Sequence, residues 1–122
     1  MARILLVDDD PALLSALPEA LVHRLPGCSV ETADSAEAAV AMLRQGGFDL
    51  VISDLVMCGS GGMELMKSSQ GLKPSVPTIL ITGMPETPDE PYPSVAVGVV
   101  QKPFDVSRLV ALVREVLEGS VR

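Results

Sequence analysis

Short runs that are apolar throughout alternate along this chain with longer stretches in which apolar residues recur every three or four positions. A turn or capping residue marks each change of period, which is the signature of β-α-β units and of an α/β fold. Ile4-Leu5-Leu6-Val7 has no polar face, as expected for a strand covered on both sides of a parallel sheet. Asp10 then stands where it can cap a helix, with Pro11 at the first helical position, where the missing N–H of proline costs nothing. Leu13, Leu14, Leu17, Leu21 and Leu25 follow at helical spacing. Pro18 inside this helix removes the bond to the Leu14 carbonyl, at a cost of about 3 kcal/mol unless the helix kinks, so a kink is expected there.

A weaker strand, Cys28 to Ala33, leads to Asp34-Ser35, either of which can cap a helix with the stripe Ala36, Ala39, Val40 and Leu43, ended by Gly46-Gly47. Phe48 to Ser53 reads as the third strand, with Asp54 at its carboxyl end. A glycine-rich loop from Gly59 to Gly62 and a short helix through Met63, Leu65 and Met66 follow. Pro77 to Ile81 is the fourth strand, closed by Thr82, and Val95 to Val100 the fifth, closed by Lys102-Pro103. Asp105 caps a last helix whose buried face is Val106, Leu109, Val110, Val113, Val116 and Leu117. The crossover between strands four and five differs from the others: Pro85, Pro88, Pro91 and Pro93 exclude a regular helix and predict a loop of polyproline character.

Composition narrows the picture. The 122 residues, 48% apolar and 20% charged, are expected to form one domain spanning 1–122. Phe48, Tyr92 and Phe104 are the only aromatic residues, so the core is aliphatic. Sixteen acidic against nine basic side chains, with so few rings to stack on bases, argue against direct nucleic-acid binding by this domain. No apolar run approaches the roughly 20 residues that cross a bilayer, so no membrane partner is expected. Met1-Ala2-Arg3 leads straight into the first strand without the form of a signal peptide, and a cytoplasmic location is expected. Cys28 and Cys58 fit no disulfide framework or zinc spacing and read as free thiols.

Ligands of open parallel sheets bind beyond the carboxyl ends of the strands. Asp8, Asp9 and Asp10 lie there after strand one, Asp54 after strand three, Thr82 after strand four and Lys102 after strand five. Clustered carboxylates repel one another and persist where a cation holds them. Mg²⁺, which takes one or two carboxylates, several waters and phosphate oxygens, suits this set. A lysine and a threonine hydroxyl supply a charge and a donor for a phosphoryl group, and an aspartate can be the nucleophile that accepts it. Against this stand plainer roles: strand-end caps for the aspartates and Thr82, a snorkelling surface lysine for Lys102, and a flexible loop for Gly59, Gly61 and Gly62. For Asp10 the helix cap is the better reading, and His23 reads as a surface residue.

In Ile4-Leu5-Leu6-Val7-Asp8-Asp9-Asp10-Pro11, Asp54-Leu55-Val56-Met57 with Gly62 eight residues after the aspartate, Thr82-Gly83, and Lys102-Pro103-Phe104, the chain resembles the receiver domains of two-component response regulators, the chemotaxis regulators among them. The resemblance covers essentially the whole sequence. It implies a flavodoxin-like, doubly wound five-stranded parallel sheet of order 2-1-3-4-5, here with the helix between strands four and five replaced by the proline-rich loop. It further implies a phosphoprotein of phosphorelay signal transduction in which Asp54 accepts a phosphoryl group from a sensor histidine kinase or phosphotransfer protein. Asp8, Asp9, Asp54 and the backbone carbonyl of Val56 would hold Mg²⁺, and Thr82 and Lys102 would contact the phosphoryl group. Lys102-Pro103 would be a cis peptide. Such a module catalyses only its own phosphorylation and dephosphorylation, and its output partner is a separate protein or a fused output domain. Two other readings are a phosphatase of the haloacid dehalogenase type, suggested by the Asp-x-Asp pair at Asp8 and Asp10, and a degenerate receiver serving as a scaffold. Pro11 in place of that phosphatase family's glycine speaks against the first, the intact acidic, threonine and lysine set against the second.

The chain departs from the receiver pattern at three places. Cys58 replaces a proline four residues after the acceptor and reads as a packing thiol. Val99 occupies the position of the family's switch aromatic, for which Tyr92, in the proline segment, is the candidate substitute. The proline-rich run removes half of the family's usual dimerisation and output face, so a homodimer would need a non-standard face. The residues two positions after Asp54 and after Thr82, which in the family govern attack of water on the acyl phosphate, are Val56 and Met84. Neither side chain can orient an in-line water, so the phosphorylated form should be long-lived. Following loss of label from the phosphorylated protein checks this, and decay within seconds would refute it.

Overall fold

The computed structural model describes residues 2–55, 65, 67, 68, 70, 71, 75–83, 86–89, 91 and 96–119. Five strands, β1 (Ala2–Val7), β2 (Cys28–Ala33), β3 (Leu50–Asp54), β4 (Thr78–Thr82) and β5 (Gly98–Gln101), form one parallel sheet of order β2-β1-β3-β4-β5. Helices α1 (Pro11–Arg24), α2 (Ala36–Arg44) and α3 (Val106–Leu117) accompany it, and Leu65, Lys67, Ser68 and Gln70 are also helical. The α/β class, parallel sheet and strand order agree with the expectation from sequence.

Alternation along the central strands divides the core between the two sheet faces. Ile4 and Leu6 of β1, with Leu50 and Ile52 of β3, pack with Leu17 and Leu21 of α1 and with the inner face of α3. Leu5 and Val7 of β1 point the other way, with Val51, and meet Ala36, Ala39 and Leu43 of α2 and Phe48. Burying an aliphatic side chain completely contributes roughly 1.5–3 kcal/mol, which is why the strands with apolar runs on both faces, Ile4 to Val7, Leu50 to Ile52 and Ile79 to Ile81, occupy the middle of the sheet. Each helix starts on the residue the sequence marks for it. The Asp10 carboxylate accepts from the Ala12 N–H at 3.0 Å, Ser35 Oγ from Ala38 at 3.1 Å and the Asp105 carboxylate from Ser107 at 2.9 Å. Such caps stabilise a helix by about 1 kcal/mol each. Of the two capping candidates before α2, it is Ser35 that serves.

Some boundaries move. α1 continues through Pro18 as one helix of 14 residues. β3 begins at Leu50; just before it the Asp49 N–H donates to Arg3 O at 2.8 Å and the Asp49 carboxylate accepts from the Arg3 N–H at 2.8 Å. β5 begins at Gly98 and not Val95, leaving a short edge strand of four residues, the form that best resists unwanted pairing. Met63, Met66 and Val95 lie outside the described residues. Between β4 and β5 none of the described residues, Gly83, Glu86 to Asp89, Pro91, Ala96 and Val97, is helical.

Two glycines permit close approaches. Gly47, at φ +90°, lies where a Cβ would meet the Arg3 guanidinium, which stacks 4.4 Å over the Phe48 ring and pairs with Glu31. Gly98 lies beneath Leu112 of α3, where a Cβ would come within 2.6 Å of Cδ2 and 3.1 Å of Cγ. Overpacking of this kind costs about 1–3 kcal/mol, so Gly98→Ala should lower stability by that amount in urea unfolding. Gly83→Ala, where a Cβ meets nothing within 4 Å, should leave stability unchanged within about 0.5 kcal/mol.

Candidate functional site

Sheet register assembles the site. Val7 of β1 pairs with Ser53 of β3, so Asp8 and Asp54 each follow by one residue on adjacent parallel strands. Asp54 pairs with Ile81, and Thr82 with Gln101, which sets Thr82 and Lys102 at the same end of β4 and β5. Backbone bonds continue the ladder past the strand ends: Asp8 N–H donates to Ala33 O at 3.2 Å, Leu55 N–H to Ile81 O at 3.1 Å and Lys102 N–H to Thr82 O at 2.7 Å. The site residues are thus fixed by the backbone before their side chains interact.

Lys102 Nζ lies 3.0 Å from Asp8 Oδ2 and 3.0 Å from Asp54 Oδ2, joining three strand ends through one ammonium group. Asp8 is fully buried, Asp54 is 8% exposed and Thr82 1% exposed, while Asp9 is exposed. The Asp10 N–H donates to Asp8 Oδ1 at 2.9 Å, so both Asp8 oxygens are engaged. Burial works against the charge on Lys102, but hydrogen bonds and charges from Asp54 and Asp8 outweigh it and hold its pKa above the ordinary 10.5. Because the folded value is raised, this contribution to stability is fully present at neutral pH and is lost only as pH rises through that raised value.

One oxygen from each of Asp8, Asp9 and Asp54 lies within 4.8 Å of the others. Oxygens around an octahedral Mg²⁺ at about 2.1 Å are separated by about 3 to 4.2 Å, so small side-chain adjustments suffice to hold one. Three carboxylates against one ammonium also leave two net negative charges, which a divalent cation neutralises. The donor set therefore fits such an ion. Asp10 is not in this group; its carboxylate caps α1, in accord with the sequence reading.

A model of the response regulator receiver domain matches residues 4–114. The chain belongs to this family. Among curated proteins, transcriptional regulatory protein GlrR of Escherichia coli is 38% identical over 98% of this chain and 27% of its own length. Response regulator protein FleR of Pseudomonas aeruginosa is 38% identical over 92% of this chain and 24% of its own length. The chain thus spans about a quarter of these relatives. Among solved structures, response regulator protein TrrA of Thermotoga maritima, in complex with Mg²⁺-BeF, superposes with a TM-score of 0.84 at 31% identity, covering 95% of this chain and 99% of that one. Chemotaxis response regulator CheY4 of Vibrio cholerae superposes with a TM-score of 0.81 at 27% identity, covering 95% and 98%. The flavodoxin-like fold of this receiver domain agrees with these neighbours.

The structure brings together Asp8, Asp9, Asp54 and Lys102, and puts Thr82 at the same sheet end. The Lys102–Pro103 peptide is cis. Val99 is half-buried on the edge strand. Val56, Cys58, Gly59, Gly61, Gly62, Met84 and Tyr92 lie outside the described residues. His23 is exposed on the last turn of α1, and Cys28 is a free thiol. Sequence reasoning missed an apolar groove of about 420 Å³ beside the site, lined by Leu13, Ala16, Leu17 and Ala20 of α1 and by Pro103 and Phe104, with Asp10 and Lys102 at its rim. Its signal was the near absence of charge on α1, where Glu19 is the only ionisable residue before His23.

Lys102→Met removes the cation from two buried carboxylates and should lower stability by about 2–3 kcal/mol at pH 7 in chelator. Urea unfolding checks this, and millimolar divalent cation should recover much of the loss.

Proposed function

We propose that residues 1–122 act as a phosphorylation-switched receiver domain in which Asp54 takes a phosphoryl group from a phosphohistidine of a sensor histidine kinase or phosphotransfer protein. The observation that carries this reading is the joint placement of three carboxylates and the Lys102 ammonium, with Asp54 as the carboxylate able to react. An Asp54 oxygen forms the new O–P bond as the N–P bond breaks and its electron pair returns to the donor imidazole. Lys102, already 3.0 Å from Asp54, stabilises the negative charge on the phosphoryl oxygens, and the buried Thr82 hydroxyl donates to one of them. Asp8, Asp9, Asp54 and the Val56 carbonyl would hold Mg²⁺, which supplies positive charge to the phosphoryl oxygens. The chain acts on no substrate other than its own aspartate. Asp8 is an unsuitable nucleophile, because it is fully buried with both oxygens engaged, and this disfavours the dehalogenase-type reading.

The donor must reach Asp54 from the carboxyl end of the sheet, where the apolar groove along α1 opens beside Asp10 and Lys102. A partner helix with an apolar face would lie there and present its histidine to the acceptor. Among the described residues no helix is long and apolar enough to cross a membrane. The acidic composition and scarcity of aromatic residues are the grounds on which we place this module in the cytoplasm without direct nucleic-acid binding. Its output passes to a protein partner or to a fused domain of the kind that lengthens its relatives.

Incubation with acetyl phosphate and Mg²⁺, followed by peptide mass spectrometry, should place the phosphoryl group on Asp54. Asp54→Asn should abolish the label, and chelator should suppress it by orders of magnitude. A label on Asp8 would overturn the assignment in favour of the phosphatase reading.

A further inference from the structure

Among the described buried polar side chains at the carboxyl end of the sheet, Asp8, Ser53, Asp54 and Thr82, only Ser53 has no part in the acceptor chemistry. It is fully buried, one residue before Asp54 on β3. Register sets it between Val7 of β1 and Leu80 of β4, both fully buried, and alternation along β3 turns it to the same side as Val51, towards the α2 part of the core. A hydroxyl among such neighbours is costly unless it is bonded. Here it is: Ser53 Oγ donates to the backbone carbonyl of Asp54 at 2.9 Å. One such bond adds little net stability, so its particular consequence lies in what it holds. That is the Asp54–Leu55 peptide group, whose other polar atom, the Leu55 N–H, donates to Ile81 O at 3.1 Å. A single peptide plane is thus bonded at both its carbonyl and its N–H. The ψ angle of Asp54 follows from that plane, and with it the direction in which the acceptor side chain leaves the last position of β3.

We infer that Ser53 is a positioning residue for phosphoryl transfer: its hydroxyl locks the Asp54–Leu55 peptide and so aims the Asp54 carboxylate at the incoming phosphorus. The inference rests on Asp54 being the acceptor. Attack on phosphorus requires the nucleophilic oxygen to lie in line with the leaving group, and a misplacement of about 1 Å can cost as much as a hundredfold in rate. Lys102 Nζ holds Asp54 Oδ2 at 3.0 Å, and Ser53 holds the backbone from which the same side chain springs. The carboxylate is therefore restrained at its tip and at its root, and only the restraint at the tip comes from a group that also contacts the phosphoryl oxygens.

The test measures the rate at which acetyl phosphate labels the chain at saturating Mg²⁺, over a range of acetyl phosphate concentrations, which separates positioning from binding. Ser53→Ala should lower the limiting rate constant about five- to tenfold and leave the concentration for half-maximal rate unchanged. Ser53→Thr, which keeps the hydroxyl, should recover most of that rate. Ser53→Val, which matches threonine in shape but has no hydroxyl, should not. A wild-type limiting rate in Ser53→Ala, or equal limiting rates in Ser53→Thr and Ser53→Val, would overturn the inference. Failure of the acceptor assignment reads differently, because the wild-type chain would then carry its label on a residue other than Asp54.

Discussion

One ammonium group between two buried carboxylates is the interaction on which this site depends. Lys102 reaches from the end of β5 to Asp8 at the end of β1 and Asp54 at the end of β3, with Nζ 3.0 Å from each. Like charges at about 4 Å repel by about 4 kcal/mol at an effective dielectric constant of 20, so the pair is tolerable only with a cation between them. Two carboxylates with a single lysine still carry excess negative charge once Asp9 is added. The same balance that holds the domain together without a metal therefore leaves it ready for a divalent ion.

That arrangement requires precise registration of strands that are distant in sequence. Asp8 and Lys102 are separated by 94 positions. Their closeness follows from the order β2-β1-β3-β4-β5, from parallel register along each pair, and from backbone bonds that extend past Val7, Asp54 and Gln101. The rigidity behind it is aliphatic. β1 and β3 are buried on both faces, so a slip by one residue would exchange the α1 side of the core with the α2 side. A core that is nearly free of rings supplies the platform, and the polar chemistry is confined to its rim.

The neighbourhood of the site divides into surfaces of different character. α1 offers an apolar wall, with alanines at 16 and 20, in a groove that Lys102 also lines. The β4–β5 connection offers exposed prolines and acidic groups. An acidic rim and an apolar groove therefore adjoin the same sheet end.

The elements were legible in the sequence because their signals are local. The unbroken apolar run at Ile4 to Val7 can be satisfied only by a doubly covered strand, and Asp10, Ser35 and Asp105 cap helices through bonds spanning two or three residues. The acceptor candidates were legible for a similar reason, since each polar residue stands immediately after an apolar strand. What the sequence alone left open was decided by contacts between distant segments. The bond of the Asp49 carboxylate to the Arg3 N–H joins residues 46 positions apart, and the close packing at Gly98 depends on Leu112 of a later helix. That Asp8 is fully engaged while Asp54 keeps some exposure depends on where Lys102 and the Asp10 N–H arrive. Such choices turn on burial and hydrogen bonding across strands, and these exist only once the sheet has closed in register.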